Sequence, residues 1–340
     1  MAELRKDRYI GIDLGTTNTV MATLSFGTDD KPHIEIEKFR QKKNNRTSPF
    51  DHLPSTIYIN DASKNDFLVG YEAKEKINQM SASGGGDYVI NSKMRMGTNT
   101  ILYETKGFEL KAIDVATMIL ERCGKAFNRT YSSYTQYDYT NLPTVVTVPA
   151  RFESVAKKDT KLAAINAGFN ESGLNLLPEP TAALLSYIWS QREIRKESRA
   201  IDISETKRFL VVDLGGGTCD VVVIDVIETN EDEKDVMFFT TVGTPDRVDL
   251  GGANFDGKFA EYILNKFFKD NNIDSSQISS EEKYALKAKI VMQAEDKKIE
   301  FSENLMAYIE EEGINENDIV EGRVDFDDII DKIDSTDISI

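Results

Sequence analysis

Two glycine-rich segments, 200 residues apart, have residue types that bind phosphate groups. Residues 8–20 read RYIGIDLGTTNTV and residues 208–221 read RFLVVDLGGGTCDV. In both, an apolar β-type run leads to Asp, Leu and Gly, and small hydroxylated residues follow. Glycine lets the backbone approach a ligand closely, and successive N–H groups of such a turn bind anions. Two ordinary hairpins would not explain matching copies, so we predict two facing turns that bind the β- and γ-phosphates of a nucleotide.

An aspartate follows the apolar run in each copy, Asp13 in the first and Asp213 in the second. Mg²⁺ keeps most of its waters in proteins and takes only one or two carboxylates. The two aspartates are therefore suited to face one hydrated Mg²⁺ beside the phosphates.

The composition limits the classes of partner. A chain of 340 residues, 40% hydrophobic and 29% charged, is long enough for two globular domains. Its net charge of −17 argues against nucleic-acid and anionic-membrane partners. The N-terminus shows no signal peptide, no apolar run could span a bilayer, and two cysteines give no disulfide framework. We expect a cytoplasmic protein.

Alternation and helical periodicity predict a mixed α/β chain. Strands are predicted on both sides of each glycine turn, at 34–39 and 144–149, and as a hairpin of 56–60 with 67–73. Helices are predicted at 113–131 and 154–168, from Pro180 onward, and over 281–303. We expect a polar loop at 41–55 and a solvated loop at the tyrosine-rich tract 131–141, with an aromatic binding patch as the alternative for that tract.

A series of motifs in a fixed order resembles one family. DLGTTN is followed by LPS, VGYEA, SKMRMG, VTVPARF, LLPEPTAALLSY, DLGGGTCDV, DLGGANFD and AEDKKIEFS. This series is similar to the nucleotide-binding domain of DnaK-type heat-shock chaperones, the seventy-kilodalton class. The similarity runs from about residue 8 to 302 and more loosely to 331. Actin-like filament proteins and sugar kinases share the two turns, but they lack VTVPARF and the PEPTAAL helix.

The resemblance implies the α/β actin-like ATPase fold, in which two lobes of duplicated ribonuclease-H-like sheets and helices close on ATP. The expected domains are lobe I at 1–200, with a core at 1–40 and 110–200 and an inserted subdomain at 41–109, and lobe II at 201–340, with a core at 201–250 and an inserted subdomain at 251–340. The closing strands and helices of lobe II are expected to be absent, as is a peptide-binding domain.

The resemblance also implies roles for individual residues. Asp13 and Asp213 hold Mg²⁺ through water. The phosphate contacts fall on Gly15, Thr16, Thr17, Asn18, Gly215, Gly216, Gly217 and Thr218, and Gly251 and Gly252 lie in a phosphate and ribose loop. The catalytic set is Lys93, which orients the attacking water, with Glu179, Asp213 and Asp220 near the metal waters. Glu295, Lys298 and Ser302 match the helix that contacts adenosine.

Several of these residues also have an ordinary structural explanation. Lys93 alone would be an exposed loop lysine, and Glu179 a carboxylate favoured at a helix N-terminus. Glu295 and Lys298 alone would be an i, i+3 surface pair.

The function implied is binding and slow hydrolysis of Mg-ATP, as a conformational switch for protein folding. A co-chaperone and a nucleotide-exchange factor are the candidate protein partners. Two alternatives stay open, a nucleotide-binding fragment without turnover and an actin-like filament-forming ATPase.

Overall fold

The computed structural model describes residues 7–26, 32–79, 87–134, 136–194, 201–231 and 234–314. The chain divides into two compact units, Met1–Ala253 and Asn254–Ile340. Among the described residues, no helix combines the length and the apolar character that crossing a membrane requires.

The strands that the structure describes all belong to the first unit. They are β1 (Arg8–Leu14), β2 (Asn18–Phe26), β3 (Pro32–Ile36), β4 (Phe39–Lys43), β5 (Arg46–Phe50), β6 (Leu53–Pro54), β7 (Ile57–Asp61), β8 (Asp66–Val69), β9 (Tyr88–Val89), β10 (Tyr103–Thr105), β11 (Phe108–Leu110), β12 (Thr144–Val148), β13 (Leu174–Pro178), β14 (Lys207–Leu214), β15 (Cys219–Glu231) and β16 (Lys234–Val248). The helices are α1 (Tyr71–Gln79), α2 (Ala112–Thr130), α3 (Ser154–Asn166), α4 (Glu179–Ile194), α5 (Gly252–Asp270) and α6 (Ser280–Glu311).

The first glycine turn joins two strands of a six-stranded sheet. β1 and β2 pair antiparallel across the turn, β3 and β6 pair with β2, and β12 and β13 continue the sheet as parallel neighbours on the β1 side. Apolar residues at every second position of β1, including Ile10 and Ile12, are buried in the main core, to which α2 contributes Ile119 and Phe127. The strand–turn–strand prediction for residues 8–25 is confirmed.

The second glycine turn joins β14 and β15 in a three-stranded antiparallel sheet with β16. Val222 and Ile224 of β15 form a small core with Leu184 and Ile188 of α4, the helix that also contains Trp189. On the other face, alternate residues of β14 are 59–66% exposed: Leu210, Val212 and Leu214. β14 pairs only with β15 in the described part of the chain, whereas β1, the corresponding strand, has a neighbour on both sides.

The predicted polar loop at 41–55 is wrong over most of its length. β4 and β5 form a hairpin there, and Asn44 and Asn45 make its turn with φ of 52° and 60°. Asparagine tolerates this left-handed conformation, so a two-residue connection is allowed. The predicted strand 67–73 ends at Val69, because Gly70 at φ +85° redirects the chain into α1. The predicted strand 34–39 is interrupted between β3 and β4.

Tyr131 shows that the tyrosine-rich tract is not simply a solvated loop. Its ring is buried and lies against Phe127, with ring centroids 4.5 Å apart. The Arg8 guanidinium lies 4.3 Å from the Tyr131 ring centroid, and the Tyr131 hydroxyl donates to Glu37. Tyr134, 54% exposed, fits the prediction better.

The second unit contains most of α5 and all of α6. Ile263, Leu264 and Phe268 of α5 pack with Ile290 and Ala294 of α6. The prediction of a long helix over 281–303 is confirmed, and a capping box begins it. The glycine run at 84–86 and much of the acidic C-terminal stretch lie outside the described residues.

Candidate functional site

The first glycine turn is closed too tightly for any side chain at Gly15. A Cβ atom there would lie 2.1 Å from the carbonyl oxygen of Asn18. Only Gly15, Thr16 and Thr17 separate β1 from β2, which explains the close approach. Glycine is therefore required at this position.

The second turn is held by the residues that begin α5. Gly252 N–H donates to the Gly215 carbonyl at 3.0 Å, and Ala253 N–H donates to the Gly216 carbonyl at 2.7 Å. A Cβ atom on Gly251 would lie 2.6 Å from both the Gly215 oxygen and the Gly217 nitrogen. The DLGG segment is thus a backbone support for the second turn.

The two turns face each other. A Cβ atom on Gly216 would lie 2.1 Å from Thr17 Oγ1, and one on Gly217 would lie 3.2 Å from Thr16 Cγ2. The Met94 sulfur is 3.1 Å from that same Gly217 position. The structure therefore brings together the two segments that the sequence pairs by their likeness.

A buried lysine–glutamate pair lies between two elements of the first unit. Lys93, in a 3₁₀ turn at Ser92–Arg95, has its ammonium 2.5 Å from Glu179 Oε1 at the start of α4. The side chains are only 10% and 17% exposed. The interpretation of Lys93 as an exposed loop lysine is therefore wrong.

The acidic residues expected at the site influence one another's ionisation. Burial raises the pKa of Glu179; Lys93 opposes this shift, and the negative charges of Asp13 and Asp213 add to it. Burial also raises the pKa of Asp213, with further contributions from Asp220 and Asp13. These four carboxylates thus share one region with Lys93. A cation bound there would relieve the repulsion between the carboxylates.

Asp220 has a buried carboxylate that the described side chains satisfy only in part. Its Oδ2 accepts from Thr218 Oγ1 at 3.1 Å, but among the described residues its buried Oδ1 has no hydrogen-bond donor. Buried polar atoms are nearly always bonded to protein, water or an ion. In the part of the chain that is described, no three His, Cys, Asp or Glu side chains are arranged to coordinate a metal directly. The unsatisfied Oδ1 of Asp220, beside the other carboxylates, therefore fits a site for a hydrated cation.

The three residues assigned to adenosine belong to α6 in the second unit. Lys298 has its ammonium 2.6 Å from Oδ1 of Asp256, a buried residue of α5. Ser302 is exposed, and Glu295 is half-buried. Lys298 thus pairs with an acidic residue of α5. That residue, Asp256, follows Gly252 by four positions in the chain.

Sequence reasoning missed two hydroxyl residues that support the first turn and its aspartate. Thr147 of β12 donates to Asp13 Oδ1 at 2.7 Å, one residue beyond the pairing of Ile12 with Val146. Ser55 donates to the Gly15 carbonyl at 2.8 Å. Both belong to motifs that the sequence contains, VTVPARF and LPS, but the residues alone do not show which partner each would meet.

Comparison with known proteins agrees with this geometry. A sequence model of the family described as Hsp70 protein matches residues 9–333. Among curated relatives, the chaperone protein DnaK of Mycoplasmopsis agalactiae (strain NCTC 10123 / CIP 59.7 / PG2) is 28% identical over 306 residues. The aligned region covers 90% of this chain and 42% of that protein, so the chain spans less than half the length of the relative.

The duplicated sheets with facing glycine turns, together with this match, define the actin-like ATPase fold. The chain belongs to the Hsp70 family. The resemblance to its nucleotide-binding domain, predicted from the motif order, is confirmed.

Proposed function

We propose that this chain binds Mg-ATP between its two glycine turns and hydrolyses it slowly, as the nucleotide-binding domain of a DnaK-type chaperone. One observation carries the proposal: the turns face each other while Lys93, Glu179, Asp13 and Asp213 share one charged region. Hsp70 proteins in general bind ATP or ADP with Mg²⁺, which supports the choice of ligand.

The backbone of the two turns would bind the phosphates. Phosphoryl transfer depends mainly on positioning and charge stabilisation, so backbone N–H groups and one lysine are appropriate groups. The proposed phosphate contacts are Gly15, Thr16, Thr17, Asn18, Gly215, Gly216, Gly217 and Thr218. Gly251 and Gly252 would keep the second turn in place through the contacts described above.

The carboxylates would hold the metal through its waters. Asp13 and Asp213 are the proposed metal residues, with Glu179 and Asp220 beside its water shell. Bound Mg²⁺ would neutralise charge on the phosphates and the carboxylates. Thr147 would fix the orientation of Asp13, since its hydroxyl donates to one carboxylate oxygen.

Lys93 would orient the attacking water and the terminal phosphate. Its ammonium is held by Glu179 and is largely removed from solvent, which strengthens its interaction with developing negative charge. Glu295, Lys298 and Ser302 would contact adenosine, and Asp256 would then position Lys298.

The family relationship also supports a cytoplasmic location and regulation by a co-chaperone and a nucleotide-exchange factor. These partners are proposals about the longer protein that such a domain normally serves. Membership in the Hsp70 family does not favour the filament-forming alternative.

Titration calorimetry with ATP, with and without Mg²⁺, tests the metal assignment. Asp13→Asn and Asp213→Asn should each weaken Mg-dependent binding by about tenfold or more, because each removes a carboxylate from the cation site. Asp51→Asn is the control, since Asp51 is exposed and pairs with Lys38 rather than with a residue of either turn. Unchanged affinity in both site variants would contradict the proposal.

Single-turnover hydrolysis tests Lys93. Lys93→Ala should keep the parent affinity for nucleotide. Its rate of hydrolysis should fall by about 100-fold or more, as expected for a contact made chiefly in the transition state. Lys125→Ala provides the control, because Lys125 is 64% exposed and pairs with Glu121 on α2. Hydrolysis at the parent rate by Lys93→Ala would remove Lys93 from the catalytic set.

A further inference from the structure

Ser55 makes three hydrogen bonds around the first glycine turn. Its hydroxyl donates to the Gly15 carbonyl at 2.8 Å, and its backbone N–H donates to the Thr17 carbonyl at 2.8 Å. The Thr19 hydroxyl lies 3.0 Å from the Ser55 hydroxyl. Ser55 is 3% exposed and Thr19 is fully buried, so water does not compete for these bonds.

The direction of this small network follows from the number of protons. A serine hydroxyl has one proton to donate, and Ser55 gives it to Gly15. Thr19 must therefore donate to Ser55, and the network runs from Thr19 through Ser55 to the turn. Both ends of the turn, at Gly15 and at Thr17, are thus bound by the same residue.

Ser55 also lies between a strand of the first sheet and a strand of another sheet. β6, at Leu53–Pro54, pairs with Asn18 and Thr19 at the start of β2. Two residues after Ser55, Ile57 begins β7, whose neighbours are β8 and β9. Ser55 therefore joins the phosphate turn directly to a second, smaller sheet.

We propose that Ser55 is a positioning residue that fixes the first phosphate turn and couples it to the β7–β8–β9 sheet. The inference rests on the proposed function, because it assigns a role at the same nucleotide site. Ser55 contacts the carbonyl groups of Gly15 and Thr17 and so occupies none of the turn's N–H groups, of which Gly15 N–H donates to the Asp13 carbonyl at 3.1 Å. A displacement of β7 would move Ser55 and, through its hydrogen bonds, the turn that contacts the phosphates.

The decisive variant is Ser55→Ala, compared with Ser63→Ala. Ser63 is an exposed serine of the same segment whose hydroxyl donates to Asp61 at 2.6 Å, away from the turn. In the nucleotide-free protein, Ser55→Ala should speed amide hydrogen exchange at residues 15–18 by about tenfold, because the Gly15 carbonyl loses its buried donor. Ser63→Ala should leave that exchange unchanged.

Nucleotide binding separates positioning from general stability. Ser55→Ala should weaken ATP and inorganic tripolyphosphate binding by about five- to tenfold, whereas adenosine, which has no phosphate, should bind as to the parent. Ser55→Thr keeps the hydroxyl and should restore the parent affinity for ATP. Equal losses for ATP and adenosine, or no loss for either, would overturn the proposal.

The outcomes remain distinct from those of the ATPase proposal. A parent chain that binds no ATP would contradict the proposed function, while hydrogen exchange at residues 15–18 would still decide the role of Ser55. If Ser55→Ala does not fold, Thr19→Val decides instead, since it removes only the donor to Ser55. Faster exchange at 15–18 in that variant supports the network, and parent exchange rates overturn it.

Discussion

At the scale of single residues, the candidate site combines groups that would be costly without a ligand. Glu179 and Asp213 both have raised pKa values, chiefly because they are buried, and each is affected by the charge of Asp13. A carboxylate with a raised pKa in the folded state opposes folding once the pH is high enough to ionise it. Carboxylates with raised pKa values cluster preferentially at functional sites.

Asp213→Asn should therefore stabilise the nucleotide-free protein at neutral pH. Because the pKa of Asp213 is raised, its stabilising contribution is complete below its ordinary value of 3.8 and is lost as the pH rises through the folded value. The Tm of the variant should match that of the parent near about pH 4 and exceed it by about 1–2 °C near about pH 8. Scanning calorimetry over that pH range measures the difference.

Asp225→Asn gives the opposite sign and serves as the control for that scan. A side-chain hydrogen bond from Arg208 lowers the pKa of Asp225, so its contribution is present at neutral pH and is lost as the pH falls. A Tm that falls at neutral pH in both variants would show that Asp213 is not under electrostatic strain.

The residues that could be proposed for the site from the sequence were those with a type or motif of their own. Asp13 and Asp213 followed from the duplicated turns, and Lys93 and Glu179 came only from the resemblance. Ser55 and Thr147 were missed because a lone hydroxyl residue fits many positions, and its partner depends on how distant strands meet.

At the scale of elements, the second turn and the beginning of α5 act as one piece of backbone. Gly251→Ala should disturb that piece, since its Cβ would meet backbone atoms of Gly215 and Gly217 at 2.6 Å. Backbone atoms cannot rotate away as a side chain can, so we expect ATP affinity to fall by about tenfold or more. Titration calorimetry measures this change.

Gly257→Ala is the matched substitution on the same helix. No atom lies within 4 Å of a Cβ placed at Gly257, so the change should stabilise α5 by about 0.5–1 kcal/mol and leave ATP affinity unaltered. If the Gly251 and Gly257 variants bind ATP equally well, the contact between α5 and the turn has no part in binding.

The elements that the sequence predicted correctly have a clear period or a strong end signal. β1, β12 and α2 alternate or repeat their apolar residues, and Gly168, at φ +98°, lies just beyond α3 and marks its end. The β4–β5 hairpin was missed because its strands are mostly polar, as in Arg40 and Lys42, and only one face is buried. Its turn was present in the sequence as Asn44–Asn45.

At the scale of the whole molecule, buried apolar residues are unevenly distributed. The core around β1, β2, β12 and α2 is extensive, whereas β15 and α4 share a small cluster. Local stability follows the burial of apolar contacts and the pairing of backbone groups. The two sheets that carry the glycine turns should therefore differ in stability.

Amide hydrogen exchange should reveal this difference directly. Residues of β14, with one described strand partner and an exposed apolar face, should exchange faster than those of β1 and β12. The comparison requires correction for intrinsic exchange rates and a protein kept dilute enough to prevent association through Leu210 and Val212. Equal protection of β14 and β1 would contradict the prediction.

Trp189 is an intrinsic fluorescent probe in α4. It is the single tryptophan of the chain, it is 39% exposed, and it belongs to the helix that begins at Glu179. That helix contacts strands of both sheets: β12 and β13 of the first, and β14 and β15 of the second. The emission wavelength of Trp189 and its quenching by iodide therefore report, in the unmodified protein and in real time, whether adding nucleotide shifts one sheet against the other.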